Sequence, residues 1–280
     1  MLKSYYDFYI QNGELKPSDH YKPEQLCKGQ SVYEVFRIID KVPLFLEEHL
    51  DRLFRSAALL ERKPDLSKDE IIRNVRKLSE ANKVDYGNIE IIINFCEPDD
   101  TKTNYILLFI EQRYPSKEQY DKGVGAITFD AVRYNPHIKQ INLEMRERTS
   151  STIAENNLYE VILVKEQKLI TEGSRSNVYF IRGNKIYTPP VELVLPGITR
   201  EKVFEICENK NLQIEEKNIL LDEIATYDAA FISGTSPKIL PLRYIDKISY
   251  NTKNGLMRDL IKRYDEMIDE YVKRRYLVFN

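Results

Sequence analysis

The sequence predicts an α+β fold with two domains. Its 280 residues are enough to form two hydrophobic cores, and 42% hydrophobic with 31% charged residues is typical of a folded globular protein. Up to about residue 110, runs with strand-like composition alternate with two amphipathic helix patterns. Hydrophobic periodicity is then lost over residues 111–122. We therefore predict a small N-terminal domain at 1–113, a linker at 114–122 and a larger C-terminal domain at 123–280.

The composition argues against several classes of function. A formal net charge of −2 gives no electrostatic basis for binding nucleic acid. The longest apolar run, Tyr105 to Ile110, is too short to cross a membrane, and the first residues do not form an apolar signal core. The three cysteines, Cys27, Cys96 and Cys207, are far apart and have no CxxC spacing, which disfavours a zinc site and a disulfide framework. We therefore expect a cytoplasmic protein without a metal.

The first domain is predicted to combine antiparallel strands with two helices. Asn12-Gly13 is a hairpin signal between short apolar runs. Residues 31–39 are typical of a strand, against which residues 42–46 pair back. A helix is predicted at 47–60, because its apolar residues recur on one face: Leu50, Leu53, Phe54, Ala57 and Leu60.

A second helix is predicted to begin at Ser67, where Glu70 three residues later completes a capping-box pattern. Strands at 89–95 and 104–110 follow, separated by a turn segment at 97–100. Beyond the linker the patterns predict these elements in order: strand 124–132, helix 143–156, hairpins 158–171 and 177–188, a helix at 200–208 capped by Thr199, strand 212–215, helix 222–226, strand 229–233 and helix 255–271.

Two residues of the second half carry a possible chemistry. Lys139 follows a short apolar run, and Glu172 lies in a Gly/Ser-rich turn at 171–177. A reactive lysine and a buried carboxylate are the groups that a pyridoxal-phosphate enzyme needs, one for a Schiff base and one for the ring nitrogen. Taken singly, a solvated lysine and a turn acid are the more common interpretation.

Two further segments are candidates for binding phosphate. Gly197-Ile198-Thr199 opens a predicted helix, so backbone N–H groups and the positive end of the helix dipole face one point. Arg52 lies between buried helix positions, and its guanidinium suits a phosphate group. The alternatives are an ordinary capped helix and a solvated arginine.

The order of these pieces along the chain is more specific than any one of them. The motifs are Tyr33-Glu34-Val35, His49-Leu50-Asp51-Arg52-Leu53, His137-Ile138-Lys139, Thr171 to Asn177, Gly197 to Arg200 and Ser233 to Ser236. In this order they resemble the class IV aminotransferases over nearly the whole chain. These fold-type IV pyridoxal-phosphate enzymes include branched-chain aminotransferase, D-amino acid aminotransferase and 4-amino-4-deoxychorismate lyase.

The resemblance implies a small N-terminal α/β sandwich-like domain, a larger β-barrel-like domain with surrounding helices, and a homodimer. It implies that Lys139 forms the Schiff base and moves the proton, that Glu172 pairs with the pyridine nitrogen, and that Tyr33 reaches the cofactor and the lysine. The other residues that it implies for pyridoxal 5'-phosphate are Arg52, Ser176, Asn177, Ile198, Thr199 and Thr235. For the substrate it implies Tyr33, Asn94, Gly234, Thr235 and Ser236.

The sequence departs from the family where a substrate carboxylate is bound. Residues 91–96 contain no arginine, and the loop after Ser236 continues as Pro237-Lys238 instead of reaching an acid. Arg37, Arg175 and Lys238 are the alternative cations. The leading hypothesis is transamination between an amino acid, branched-chain or D, and a 2-oxo acid. The alternatives are the lyase and, from another class, a non-catalytic cofactor carrier or unrelated α+β protein.

Overall fold

The computed structural model describes residues 4–22, 26, 29–96 and 103–279, and their side chains up to residue 277. The chain forms two compact units. The first comprises Met1–Arg113, Ile138–Ile141 and Ile268–Asn280, and the second comprises Tyr114–His137 and Asn142–Met267. The domain boundaries deduced from the sequence stay a prediction. Segment 114–122, where periodicity was lost, contains a short helix, α3 (Lys117–Lys122), which begins with a capping box between Ser116 and Gln119.

The described part of the first unit contains one antiparallel sheet of six strands, in the order β2-β1-β6-β5-β3-β4. The predicted hairpin at Asn12-Gly13 is confirmed. The strands are β1 (Phe8–Gln11), β2 (Glu14–Pro17), β3 (Gly29–Ile39), β4 (Val42–Pro43), β5 (Gly87–Cys96) and β6 (Thr103–Ile110), and the helices are α1 (Leu46–Leu59) and α2 (Lys68–Asn82). The predicted turn at 97–100 lies outside the described residues.

Strand β3 has one face in the core of the first unit and one edge that β4 covers only in part. Val32, Phe36 and Ile38 alternate along one face and are fully buried in the core. β3 pairs with β5 from Gly29 to Ile38 but with β4 only at Ile38 and Ile39. The other edge of its first half is therefore available to another segment of the chain, and that segment is Ile138–Ile141.

The capping box predicted for the second helix is only half formed. The Ser67 hydroxyl accepts from the backbone N–H of Glu70 at 3.2 Å. The Glu70 carboxylate instead accepts from the Tyr105 hydroxyl at 2.6 Å. The prediction of a reciprocal box was therefore wrong, because the acid has a partner on a neighbouring strand that local sequence does not reveal.

In the second unit, the described strands follow the path β12-β11-β10-β14-β15-β7-β8-β9-β13, with β16 paired to β15. The ranges are β7 (Val124–Asp130), β8 (Glu160–Lys165), β9 (Leu169–Gly173), β10 (Asn177–Arg182), β11 (Lys185–Thr188), β12 (Gln213–Glu216), β13 (Ile219–Leu220), β14 (Ala229–Gly234), β15 (Lys238–Ile245) and β16 (Ile248–Ser249). The helices are α4 (Leu143–Glu155), α5 (Ile198–Asn209) and α6 (Gly255–Phe279).

Three helix predictions for this half of the chain need correction. α5 begins at Ile198 with Gly197 as its N-cap and no side-chain capping bond, so Thr199 lies in the first turn and is not the cap. Residues Leu221–Thr226 form a 3₁₀ helix in place of an α-helix. The last helix, α6, continues to Phe279, past the predicted end at residue 271.

The cysteines differ from the expectation of reduced thiols. Cys96, at the end of β5, is disulfide-bonded, and Cys207 is a buried free thiol. Burial raises the pKa of the Cys207 thiol to about 11. Cys27 lies outside the described residues.

Two features are absent from the described residues, a membrane-spanning helix and a cluster of metal ligands. None of the helices they form combines the length and the apolar character needed to span a membrane. Nor do their His, Cys, Asp and Glu side chains gather anywhere in a group of three able to hold a metal ion.

Candidate active site

Lys139 is held on the free edge of β3 by backbone hydrogen bonds on both sides of it. The Tyr33 N–H donates to the Lys139 carbonyl at 3.0 Å, and the Ile141 N–H donates to the Ser31 carbonyl at 3.2 Å. The Lys139 N–H donates to the Ser56 hydroxyl of α1 at 3.2 Å. The Lys139 Nζ then lies 4.8 Å from the centroid of the Tyr33 ring. The structure thus brings the predicted lysine and tyrosine together.

A buried ionic cluster lies between β3 and α1. Glu34 points into the core side of β3, where it is fully buried, and accepts two hydrogen bonds from Arg52, Nε to Oε1 at 2.6 Å and Nη2 to Oε2 at 2.8 Å. His49 Nδ1 lies 2.8 Å from the same Oε2. His49, Arg52 and Ser56 share one face of α1 because they are spaced by three and four residues. The cluster fixes the guanidinium of Arg52, whose phosphate-binding role stays a prediction.

Burial and neighbouring charges shift the pKa values of Glu34 and His49. Burial by itself would raise the pKa of Glu34, but the charge and hydrogen bonds of Arg52, with the hydrogen bond of His49, lower it well below its ordinary value. The pKa of His49 is also lowered, chiefly by burial and further by the charges of Arg52 and Lys139, against the opposing effect of Glu34. His49 is therefore neutral at neutral pH.

In the second unit, Glu172 has a partner on each carboxylate oxygen. The side chain is 3% exposed. Arg133 Nε donates to its Oε1 at 2.8 Å, and the backbone N–H of Leu195 donates to its Oε2 at 3.1 Å. Both carboxylate oxygens therefore act as hydrogen-bond acceptors. The structure therefore holds the predicted acid in one orientation.

The turn after Glu172 is organised by Glu160 of β8, a second buried acid. Its carboxylate accepts from the backbone N–H groups of Ser174 at 3.1 Å and Arg175 at 3.3 Å. It also accepts from the hydroxyls of Ser174 at 2.6 Å and Ser176 at 2.8 Å. A Cβ atom at Gly173 would lie 2.2 Å from the Ser176 hydroxyl, so this position needs glycine. The described bond of the Ser176 hydroxyl is to Glu160, and its contact with a cofactor stays a prediction.

Asn177 lies between the acid and the start of α5. It is 5% exposed, and its Nδ2 donates to the Leu195 carbonyl at 3.0 Å. Leu195 is the residue whose N–H binds Glu172. Two residues later Gly197 caps α5, so Ile198 and Thr199 present the unpaired N–H groups of the first turn. The second unit thus brings Glu172, Asn177, Ile198 and Thr199 together.

The predicted substrate loop, 234–236, begins at the last residue of β14, beside this assembly. Ser233 is opposite Asn177 in the pairing of β14 with β10. A Cβ atom at Gly234 would lie 3.3 Å from the Arg175 carbonyl, which brings the loop against the turn at 173–176. Thr235 and Ser236 follow in chain order, and their contacts with a ligand stay predictions.

The groups suggested for a substrate carboxylate differ in their surroundings. Asn94 is buried, and its Nδ2 donates to the Ser31 hydroxyl at 3.0 Å. Lys238 is paired with Asp265 at 2.7 Å, and Arg175 donates to the Ser150 hydroxyl at 2.7 Å. Arg37 lies on the same face of β3 as Tyr33, because side chains alternate along a strand.

Several residues of the site were missed in the sequence or given no role. They are Glu34 and His49, Arg133, Glu160 and Arg200. Arg200, which is 4% exposed, donates to the Thr188 hydroxyl at 2.7 Å and to the Pro189 carbonyl at 3.0 Å, and thereby fixes the first turn of α5. One signal was available: Glu34 and Glu160 are acids inside runs that are otherwise apolar, and a buried acid needs a donor.

The amino-acid sequence matches the model of a known family. The family model described as "Amino-transferase class IV" matches residues 31–245, which is most of the chain. The chain belongs to the class IV aminotransferases. Among curated relatives, the D-alanine aminotransferase of Bacillus licheniformis is 35% identical over 228 residues, covering 78% of this chain and 80% of that protein.

Solved structures agree on the fold of this class IV aminotransferase. The branched-chain amino acid aminotransferase of Escherichia coli superposes with a TM-score of 0.84 at 22% identity, covering 94% of this chain and 95% of that one. A putative 4-amino-4-deoxychorismate lyase of Legionella pneumophila gives a TM-score of 0.77 at 22% identity, covering 85% and 91%. At this identity the likeness concerns the fold alone, and it confirms the predicted α+β fold of type IV.

Membership in the family confirms the predicted enzyme class. Class IV aminotransferases carry out pyridoxal-phosphate-dependent transamination, so an unrelated α+β protein is excluded as an alternative. The described residues fit this cofactor. The second unit offers a fixed carboxylate at Glu172 for the ring nitrogen and the uncapped first turn of α5 for the phosphate, while the first unit offers an amine at Lys139.

We predict that Glu34→Gln strongly destabilises the protein. The substitution removes the carboxylate and leaves the charge of Arg52 buried, for which a loss of about 3 kcal/mol or more in the free energy of unfolding is expected. Urea unfolding measures this loss. The matched control is Glu47→Gln, whose ion pair with Arg275 is 44% exposed on the acid side and should contribute under about 1 kcal/mol. Equal losses in the two variants would contradict the assignment.

The lowered pKa of His49 predicts how stability depends on pH. As pH falls below 6.5, the histidine of the unfolded chain takes up a proton while His49 of the folded protein does not, so the folded state loses stability. Between pH 7.5 and 5.5 the wild type should lose about 1 kcal/mol more than His49→Gln. Unfolding in urea at several pH values measures the difference, with His20→Gln, an exposed position, as control. Parallel pH curves for wild type and His49→Gln would rule out this account.

Proposed function

We propose that the protein transfers amino groups between D-amino acids, with D-alanine among them, and 2-oxo acids. The observation that carries the choice of substrate is the 35% identity to a D-alanine aminotransferase over most of both chains. The branched-chain enzymes and the lyase support only the fold, because their identity to this chain is 22%.

We assign the reacting amine to Lys139. When bound, pyridoxal phosphate supplies a ring that withdraws electrons from the α-carbon of the amino acid. Lys139 holds the cofactor and then carries the proton at its Nζ, which the edge of β3 fixes beside the ring of Tyr33. The Tyr33 hydroxyl is assigned to the cofactor and the lysine.

The remaining roles follow the chemistry of each group. Glu172 keeps the proton on the ring nitrogen, with its orientation set by Arg133 and Leu195. The N–H groups of Ile198 and Thr199 bind the phosphate at the positive end of α5, with Arg52 and Thr235 as further ligands.

We assign the substrate carboxylate to Asn94, the loop 234–236 and Arg37. Asn94 donates hydrogen bonds but carries no charge, and the carboxylate of Asp265 occupies Lys238. Arg37 shares a face of β3 with Tyr33, which supports it as the cation.

We further propose that the protein is a homodimer of the cytoplasm. The many tyrosines of the chain, 19 in all, are compatible with a large interface. Disulfides such as the one at Cys96 persist in oxidising environments and are rare in a reducing cytoplasm, so the redox state of Cys96 tests the proposed localisation. Thiol titration of freshly lysed cells under acid quench distinguishes the two environments, and sedimentation equilibrium measures the oligomeric state.

Lys139 should be the residue that borohydride joins to the cofactor. Treatment of the protein loaded with pyridoxal phosphate fixes the cofactor on the lysine that holds it, and peptide mass spectrometry identifies that lysine. The Lys139→Ala variant should carry no fixed cofactor and should lose at least about 10³-fold in transamination rate, as expected for a group that both binds and moves protons. Lys41→Ala, at an exposed position of the same unit, is the control. A fixed cofactor on another lysine would overturn the assignment.

A panel of D- and L-amino acids tests the substrate. With no 2-oxo acid present, D-alanine should convert the absorbance band of the cofactor in a single half reaction, whereas L-valine and L-leucine should convert it at least about tenfold more slowly. Faster conversion by L-leucine would establish a branched-chain enzyme. Catalytic release of pyruvate from 4-amino-4-deoxychorismate without a 2-oxo acid would establish the lyase.

A further inference from the structure

The turn Leu195–Gly197 connects the two ends of the proposed cofactor site in the second unit. At its start, the Leu195 N–H donates to Glu172, the partner proposed for the ring nitrogen, at 3.1 Å. At its end, Gly197 caps α5, whose first N–H groups are proposed to bind the phosphate. A shift of this turn would therefore change the distance between the acid and the phosphate-binding amides.

One side chain, Asn177, contacts the turn at both ends. Its Nδ2 donates to the Leu195 carbonyl at 3.0 Å, and both groups are buried. A Cβ atom built on Gly197 would lie 2.3 Å from Asn177 Oδ1, far inside van der Waals contact. The absence of a side chain at Gly197 is what permits the approach. Gly197 has φ −72° and ψ 138°, an extended conformation that any residue can adopt. The close contact with Asn177, and not the backbone conformation, is therefore the reason for a glycine at this position.

We propose that Asn177 is a positioning residue that sets the spacing between the Glu172 carboxylate and the phosphate-binding amides of α5 by holding the turn Leu195–Gly197. The inference rests on the proposed function and assigns Asn177 a task other than direct contact with the cofactor. A small rigid ligand that is bound at both ends gains full affinity only when both sites keep their distance.

Two different substitutions should each break the hydrogen bond between Asn177 and Leu195. Asn177→Ala removes the amide and leaves the Leu195 carbonyl without its donor. Gly197→Ala places a methyl group 2.3 Å from Asn177 Oδ1, so the side chain must rotate and break its bond to Leu195. In the double variant the methyl group no longer clashes, because the next atom outside Asn177 is Arg200 Cβ at 3.6 Å, an ordinary contact.

The experiment compares two ligands that do not react with lysine, pyridoxamine 5'-phosphate and pyridoxamine. The dissociation constant of pyridoxamine divided by that of pyridoxamine 5'-phosphate, both measured by fluorescence titration, is the affinity that the phosphate adds once the ring is bound. Each single variant should lower the ratio about tenfold, the range expected for one lost buried hydrogen bond. The double variant should lower it no further. Partial unfolding cancels in the ratio, and Asn177→Ser replaces Asn177→Ala if the latter does not fold. Gly255→Ala, a glycine with open space around it, should leave the ratio unchanged.

Each outcome decides between specific alternatives. An unchanged ratio in the single variants would overturn the positioning role. Additive losses, about a hundredfold in the double variant, would also overturn it, since Asn177 and Gly197 would then act independently. A wild-type protein that binds neither pyridoxamine compound would instead refute the proposed function, which is a different failure.

Discussion

The placement of Lys139 depends on one constraint, the unfilled edge of β3. Because β4 covers only the end of that strand, the first half of β3 pairs with Ile138–Ile141 instead. A segment distant in the chain is thereby fixed by backbone hydrogen bonds, and its lysine lies beside Tyr33. The Lys139 Nζ then lies 4.8 Å from the centroid of the Tyr33 ring, the position in which the proposed chemistry uses it.

Buried carboxylates fix other segments of the chain through hydrogen bonds. Glu34 joins β3 to α1 through Arg52 and His49, Glu160 shapes the turn after β9, and Glu172 is held by Arg133 and Leu195. Removing each carboxylate from water carries a desolvation penalty, and hydrogen bonds from several donors offset that penalty. Such groups stabilise one geometry more than they stabilise the fold, which is what a site that must align a rigid cofactor requires.

The sequence predicted the parts that short motifs encode. Lys139, Glu172 and the segment Gly197 to Thr199 became candidates because their neighbours in the chain form patterns, and the strands and amphipathic helices followed from periodicity. The partners of these groups were missed because they are distant in sequence: Arg133 lies 39 residues from Glu172, and Glu160 lies 16 residues from Ser176. The capping error at Thr199 has the same origin, since the actual N-cap, Gly197, contacts Asn177, which is distant in the sequence.

The most direct test is a crystal structure of the protein loaded with pyridoxal phosphate. The account predicts continuous density from the Lys139 Nζ to the cofactor and a Glu172 carboxylate oxygen within hydrogen-bond distance of the ring nitrogen. Density that joins the cofactor to another lysine, or a ring nitrogen that faces a group other than Glu172, would contradict it.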